Sequence, residues 1–202
     1  MKWHRENGFP DNPDFEPEVE GGWAKLPERP AEQLQLYAGV ALVITLPLLI
    51  LAWALVPGSE NSRGLAIASV AAILLLLPLM AVHEGIHLLL HPGMGRSDQS
   101  VVGGSSKHGV LYAMYFGEMS RGRYAAVLLG PFLVLTVLPW SVCLAIGQFV
   151  PWAAGVSMMN GMLACGDLMG TWLILRGSPR GARLRNRGYY TWWRTTPVSA
   201  SS

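Results

Sequence analysis

Charge is what this chain has least of. Only 14% of its 202 residues are Asp, Glu, Lys or Arg, where soluble domains run near about 25%. Half of the chain, 51%, is hydrophobic. That balance excludes a disordered chain, a collagen, a coiled coil and an ordinary cytosolic enzyme. Cysteine is nearly missing as well. Cys143 and Cys165 both stand in apolar surroundings, so they make no disulfide framework and no CxxC metal pattern, and both read as small core residues. No signal peptide is expected, because the first 35 residues hold Asp11, Asp14, Glu16, Glu18 and Glu20 among prolines. Residues 1–35 are expected to be a solvated, poorly ordered acidic tail. The net charge of +2 and its scattered basic residues exclude nucleic acid as a partner.

What is present instead is long uncharged sequence. Eight of the 13 acidic residues fall in the first 32 positions, and six of the 15 basic ones from Arg176 onward. A membrane helix needs about 20 apolar residues. Residues 36–56 and 64–91 each meet that length, and 124–166 is free of charge throughout. As one helix the last run would be roughly 64 Å, about twice the hydrocarbon thickness. It is expected to break at Gly147-Gln148-Phe149-Val150-Pro151, leaving spans of 124–146 and 151–175. The expected architecture is an all-α integral membrane protein: four transmembrane helices across 36–176, with a short loop or hairpin between the second and third. Four spans place 14 Lys and Arg on one side and Arg63 alone on the other. That bias predicts a multi-pass protein of the cell membrane with both termini cytoplasmic. The tail at 177–202 mixes its arginines with Tyr189, Tyr190, Trp192 and Trp193, which suits lipid headgroups as well as solvent.

Only two acidic residues lie inside these spans, Glu84 and Asp167. Ionisable groups in a bilayer are costly and usually functional. Glu84 belongs to His83-Glu84-Gly85-Ile86-His87, an HExxH motif. Four residues apart on a helix, His83 and His87 share a face and can offer two imidazoles to one metal ion, while Glu84 lies beside it as a general base. A catalytic zinc site needs a third ligand and an open position. Asp167 qualifies, because it lies about 13 Å short of the basic boundary at Arg176, much as His83 lies about 12 Å short of its helix end. His91 is about 12 Å along the axis from His83, too far to share its metal, and reads as an interfacial helix-end residue. His108, in a Gly/Ser-rich loop, reads as solvated. Asn160 shares the face of Asp167 and is a candidate oxyanion donor or an interhelical hydrogen-bonding residue. Pro78 must leave a carbonyl unpaired and kink the HExxH helix. Residues 110–116 favour a strand, one that pairs with an extended peptide or simply lies on the membrane.

The chain resembles a family of small multi-span membrane proteins catalogued as zincin peptidases and long treated as a domain of unknown function. The resemblance runs from about Val70 to Leu175. It rests on HEGIH at 83–87, on Met119-Ser120-Arg121-Gly122-Arg123-Tyr124, and on Asn160 with Gly166-Asp167. It is also similar in outline to site-two proteases, which hold a metal through HExxH and a distant Asp. The resemblance implies a membrane-embedded zinc metallopeptidase with His83, His87 and Asp167 as ligands and Glu84 as base. Its cofactor would be Zn2+, and its partners the lipid bilayer and a protein or peptide substrate, membrane-anchored or free. The alternative is a non-hydrolytic metal-binding or transport protein, disfavoured because the first and third helices offer no acidic, basic or histidine side chain.

Overall fold

A computed structural model describes every residue except 5–8, 29, 31–32, 61, 107–108 and 196–202; His108 therefore lies outside the described residues. The chain is not all-α. Among the described residues, seven strands form two sheets that cap one end of a helical bundle. In the first sheet, β1 (Lys2–Trp3) runs parallel to β3 (Ser100–Ser105), which pairs antiparallel with β4 (Val110–Tyr115), leaving β4 at the edge. The second sheet is antiparallel throughout, in the order β2 (Ala24–Lys25), β7 (Tyr190–Arg194), β6 (Arg183–Arg187) and β5 (Met119–Ser120).

The N-terminal segment expected to be poorly ordered thus contributes two strands and a one-turn helix, α1 (Pro17–Glu20), with Phe15 fully buried. The basic tail folds for an identifiable reason. In β6 the sequence Arg-Leu-Arg-Asn-Arg alternates with period two, burying Leu184 and Asn186 and turning the arginines outward. Their charge is matched locally: Arg183 and Arg194 bind Glu118 at 2.8 and 2.7 Å, and Arg187 binds Glu18 at 2.8 Å. The Arg185 and Arg194 guanidinium groups lie over the rings of Phe15 and Trp23. Burial opposes ionisation of Glu118, but Arg183 and Arg194 outweigh it and hold its carboxyl below the usual range.

The helices are α2 (Leu34–Ala54), α3 (Ser62–Leu74), α4 (Leu76–Leu90), α5 (Arg121–Phe132), α6 (Leu138–Ile146), α7 (Pro151–Leu163) and α8 (Cys165–Gly177). A π-helical turn, Leu133–Val137, joins α5 to α6. Among the described residues, the continuous Arg121–Ile146 helix is the one that is long and apolar enough by itself to cross a membrane. Two further stretches meet that standard only as bent pairs: α3 from Ala66 with α4, bent by 67°, and α7 with α8, bent by 49°. The apolar part of α2, Gly39–Ala54, is shorter. The four-span, all-α architecture is therefore corrected in both respects. The cause of the sharper bend is chemical. Pro78 has no N–H for the Leu74 carbonyl, so α3 ends at Leu74, Leu75 takes φ −92° and ψ 2°, and α4 restarts at Leu76. Ala164, between Gly161 and Gly166, adopts nearly the same conformation at the α7–α8 break.

Two cores hold the bundle. Leu26, Met119, Tyr124, Val127, Ile174 and Leu184 join the second sheet to α5 and α8. At the opposite end Trp53, Val56, Ala68, Cys143 and Ala153 join α2, α3, α6 and α7. There α3 and α7 approach so closely that a Cβ on Gly155 would collide with the Ala68 carbonyl. Outward the helices stay apolar, with Val43, Ile73 and Leu77 each over 70% exposed.

Candidate metal centre and its cleft

α4 brings His83 and His87 to one buried face, each about 5% exposed. The break at Ala164 turns α8 so that Asp167, in its first turn, meets them. The Asp167 Oδ2 lies 3.0 Å from His83 Nε2 and 3.5 Å from His87 Nε2, and the two Nε2 atoms are 3.1 Å apart. Asp167, the more distant of the residues singled out in the sequence, thus joins the two histidines in space. Glu84 offers a further carboxylate oxygen within 4.8 Å of both histidines, and it faces β4, whose Ala113 amide donates a hydrogen bond to it.

The remaining ring nitrogens decide what the centre can hold. His87 Nδ1 lies 2.8 Å from the Val127 carbonyl, which only accepts, so Nδ1 carries a proton and, in the neutral ring that binds metal, Nε2 carries the lone pair. That carbonyl is available because its helical partner four residues on is Pro131, which has no N–H. His83 Nδ1 lies 2.9 Å from Asn160 Oδ1. Asn160 spends its amide hydrogens on the Pro131 carbonyl (3.0 Å) and Thr136 Oγ1 (2.9 Å), so its oxygen faces His83, which must donate. Thr136 in turn donates to the Ser157 carbonyl, and the Ser157 hydroxyl donates to the Thr136 carbonyl while accepting from Trp53 Nε1. The direction of every bond from Trp53 to His83 is therefore set. The π-helical turn contributes Thr136 to this chain.

Two imidazole lone pairs and a carboxylate oxygen then converge at 3.0–3.5 Å. Three such atoms repel one another unless a cation stands among them. Tetrahedral ligands at zinc's usual 2.0–2.1 Å would stand about 3.3 Å apart. The donor set, two histidines and one carboxylate, is that of a catalytic rather than a structural zinc site, and both histidines have the outer-shell acceptor such ligands require. The residues fit the ion.

Asn160 is fully buried, and all its polar atoms are engaged with His83, Pro131 and Thr136. The structure does not bring its amide to the cleft. His91 differs from its interfacial reading: it is 1% exposed, hydrogen-bonds Ser100 Oγ at 3.2 Å and packs on Tyr115. It stands apart from the three converging atoms. Sequence reasoning missed the Val127 carbonyl, Thr136 and Ser157. A signal existed for the first, namely Pro131 four residues later.

The centre opens into a cleft of about 370 Å³. α4 and α8 form one wall and β4 the other, with Tyr124, Asn186, Tyr189 and Thr191 beyond. Phe116 N–H pairs back to the Gln99 carbonyl beside β3. Alternation then turns the backbone groups of Leu111, Ala113 and Tyr115 away from β3 and toward the cleft. At the far end lies Glu28, whose carboxyl burial pushes up to about 7 against the hydrogen bonds from Thr191 and the charge of Lys25.

No curated protein and no solved structure matches the chain. A family model described as "Putative zincin peptidase" matches residues 76–182, just over half of the 202. The matched stretch begins with the first residue of α4 and ends just before β6, taking in every side chain of the centre, and the chain belongs to this family of zincin peptidases.

Proposed function

We propose that the protein is a membrane-embedded zinc metallopeptidase that hydrolyses peptide bonds near the cytoplasmic membrane face. The observation that carries this reading is the convergence of His83 Nε2, His87 Nε2 and Asp167 Oδ2 beside Glu84, in a cleft walled by an edge strand. Bound there by those three side chains, zinc would supply Lewis-acid polarisation of the scissile carbonyl and a lowered pKa for water. Val127 and Asn160 hold both rings in the tautomer that leaves Nε2 free to bind. Asn160 acts here as a positioning residue. Glu84 takes the proton of the attacking water and passes it to the leaving amine. The outward edge of β4 pairs with an extended substrate and lays its backbone along the Glu84 side of the cleft.

Membrane embedding is supported by the Arg121–Ile146 helix and by the exposed apolar side chains of α2, α3 and α4. Orientation is supported by the second sheet, which gathers strands from the N-terminal segment, the 92–123 connection and the C-terminal segment at one end of the bundle. Those three segments carry 14 of the 15 basic residues, so the cap faces the cytoplasm and both termini with it.

The test is Glu84→Gln, co-expressed beside wild type with a panel of single-span membrane proteins. The amide is nearly isosteric and cannot relay a proton, so zinc should be retained and cleavage lost by about 10²–10⁴-fold. Equal cleavage by both forms would remove Glu84 from the mechanism. Firmly bound zinc with no cleavage of any substrate by wild type would favour a non-hydrolytic metal-binding protein.

A further inference from the structure

We propose that the end of the cleft away from the metal centre is a recognition subsite for an organic cation, a Lys or Arg side chain or the ammonium group of a peptide N-terminus. The inference rests on the peptidase reading for its substrate class, and on geometry of its own for the subsite.

Glu28, Phe9, Tyr112 and Tyr189 line the same cleft as His83 and Glu84. The rings form a bent wall: Phe9 stands 5.6 Å from Tyr112 and 5.3 Å from Tyr189, tilted by 44° and 41°. Thr191 holds the carboxylate in place, its backbone N–H donating to Glu28 Oε2 at 2.7 Å and its hydroxyl adding a second bond. A carboxylate has about four acceptor positions, and the described residues fill about half of them. Among the described residues, no Lys, Arg or His makes an ion pair with Glu28. Lys25, the basic residue acting on it, lies 3.5 Å over the Tyr190 ring and lines a neighbouring depression instead. Two other carboxylates of the cap have found cations: Glu118 has Arg183 and Arg194, and Glu18 has Arg187.

A carboxylate withdrawn from water is costly without a cation or a proton, and partial burial has pushed this one to about 7, so the position waits for positive charge. Aromatic rings that line the same cleft as a carboxylate attract cations that shed water easily, which favours ammonium and guanidinium groups over a metal ion. The subsite is also close to the chemistry. Tyr124 binds Asn186 and reaches Thr191 at 2.8 and 3.5 Å, and Val127, one turn further along α5, holds His87. A membrane-anchored substrate carries Lys and Arg just at its cytoplasmic boundary, where the cleft would meet it.

The experiment measures binding, with purified full-length Glu84→Gln protein loaded with zinc in detergent micelles. The probes are acetylated peptide amides that differ only in Lys, Arg or norleucine at one position, and the norleucine peptide with its amine free. The Lys and Arg peptides should bind at least about tenfold more tightly than norleucine. Glu28→Gln, which keeps an acceptor for Thr191, should abolish that preference, and Tyr189→Leu should reduce it. A preference shown only by the free-amine peptide, again lost in Glu28→Gln, would assign the site to the substrate N-terminus. Equal binding of all four peptides, or a preference that survives Glu28→Gln, would overturn the proposal. Hydrolysis by the wild-type enzyme is scored separately, so failure of the peptidase reading and failure of the subsite are distinct results.

Discussion

The two ends of the cleft are built from opposite materials. The metal end is made by apolar helices, and nearly every polar atom there is engaged. His83 and His87 are each held at Nδ1, and Asn160 at all its polar atoms. The far end is made by short charged strands drawn from both termini and the middle connection, and among the described residues its carboxylate keeps acceptor capacity unused. The difference separates holding from recognising. A metal ligand must be fixed before the ion arrives, whereas a group that selects among substrates must leave a position open. Substitutions should therefore act as breaks at one end and as graded changes at the other.

The largest effect is expected at the converging atoms. His83→Ala, His87→Ala and Asp167→Ala should each lower zinc affinity by more than about 100-fold, beyond the range seen for outer-shell changes. Metal analysis of the purified proteins checks this, with His91→Ala retaining its metal. Loss of zinc in His91→Ala together with retention in Asp167→Ala would reassign the third ligand.

These residues were legible in the sequence because ionisable side chains are rare in uncharged segments. Two acids and a pair of histidines at a spacing of four leave few combinations. Pro78 likewise announced its bend, since a missing N–H acts wherever the helix packs. The second bend, at Ala164, had no such marker, and of the strands only β4 did, in the β-favouring run at 110–116. In β6 only Leu184 is apolar, and the strand exists because Glu118, Phe15 and Trp23, remote in sequence, neutralise or cover its neighbours. A reading that follows apolar runs sees charged segments as tails. It then overcounts spans, because Leu75 and Ala164 divide two uncharged runs by local backbone geometry.

A middle-sized effect should follow from loosening the metal end without touching a ligand. Asn160→Ala removes the acceptor that orients His83 and strands Thr136, so zinc affinity should fall by about 10–100-fold. Stability should fall by about 1–3 kcal/mol for the buried groups left without partners. Pro131→Ala should act more mildly and by another route: it returns an N–H to compete with His87 for the Val127 carbonyl. Zinc titration with parallel denaturant melts separates the two. Unchanged affinity in Asn160→Ala, with the fold intact, would show that His83 does not depend on it.

The smallest effect belongs to the open end. With its carboxyl at about 7 instead of 4.5, Glu28 keeps a proton in the folded protein that the unfolded chain has already released. Stability from this group is full below pH 4.5 and is lost as pH rises toward 7. The slope is well under the limiting value of about 1.4 kcal/mol per pH unit, because the residue is only partly buried and is screened by solvent. The neighbours do not reverse the sign. Burial, aided by Glu28 and Tyr190, pushes the Tyr189 hydroxyl up to about 12, so it stays neutral throughout. Lys25 favours the ionised carboxyl and narrows the window without inverting it. Wild type should therefore lose stability relative to Glu28→Gln as melts are repeated between pH 4.5 and 7.5; a difference that stays flat would show the carboxyl to be fully hydrated. A bound cation favours the carboxylate and draws off the proton. Adding the Lys peptide should move the pH-dependent step to lower pH in wild type and have no such effect in Glu28→Gln, which ties the titration of the open end to what it is built to recognise.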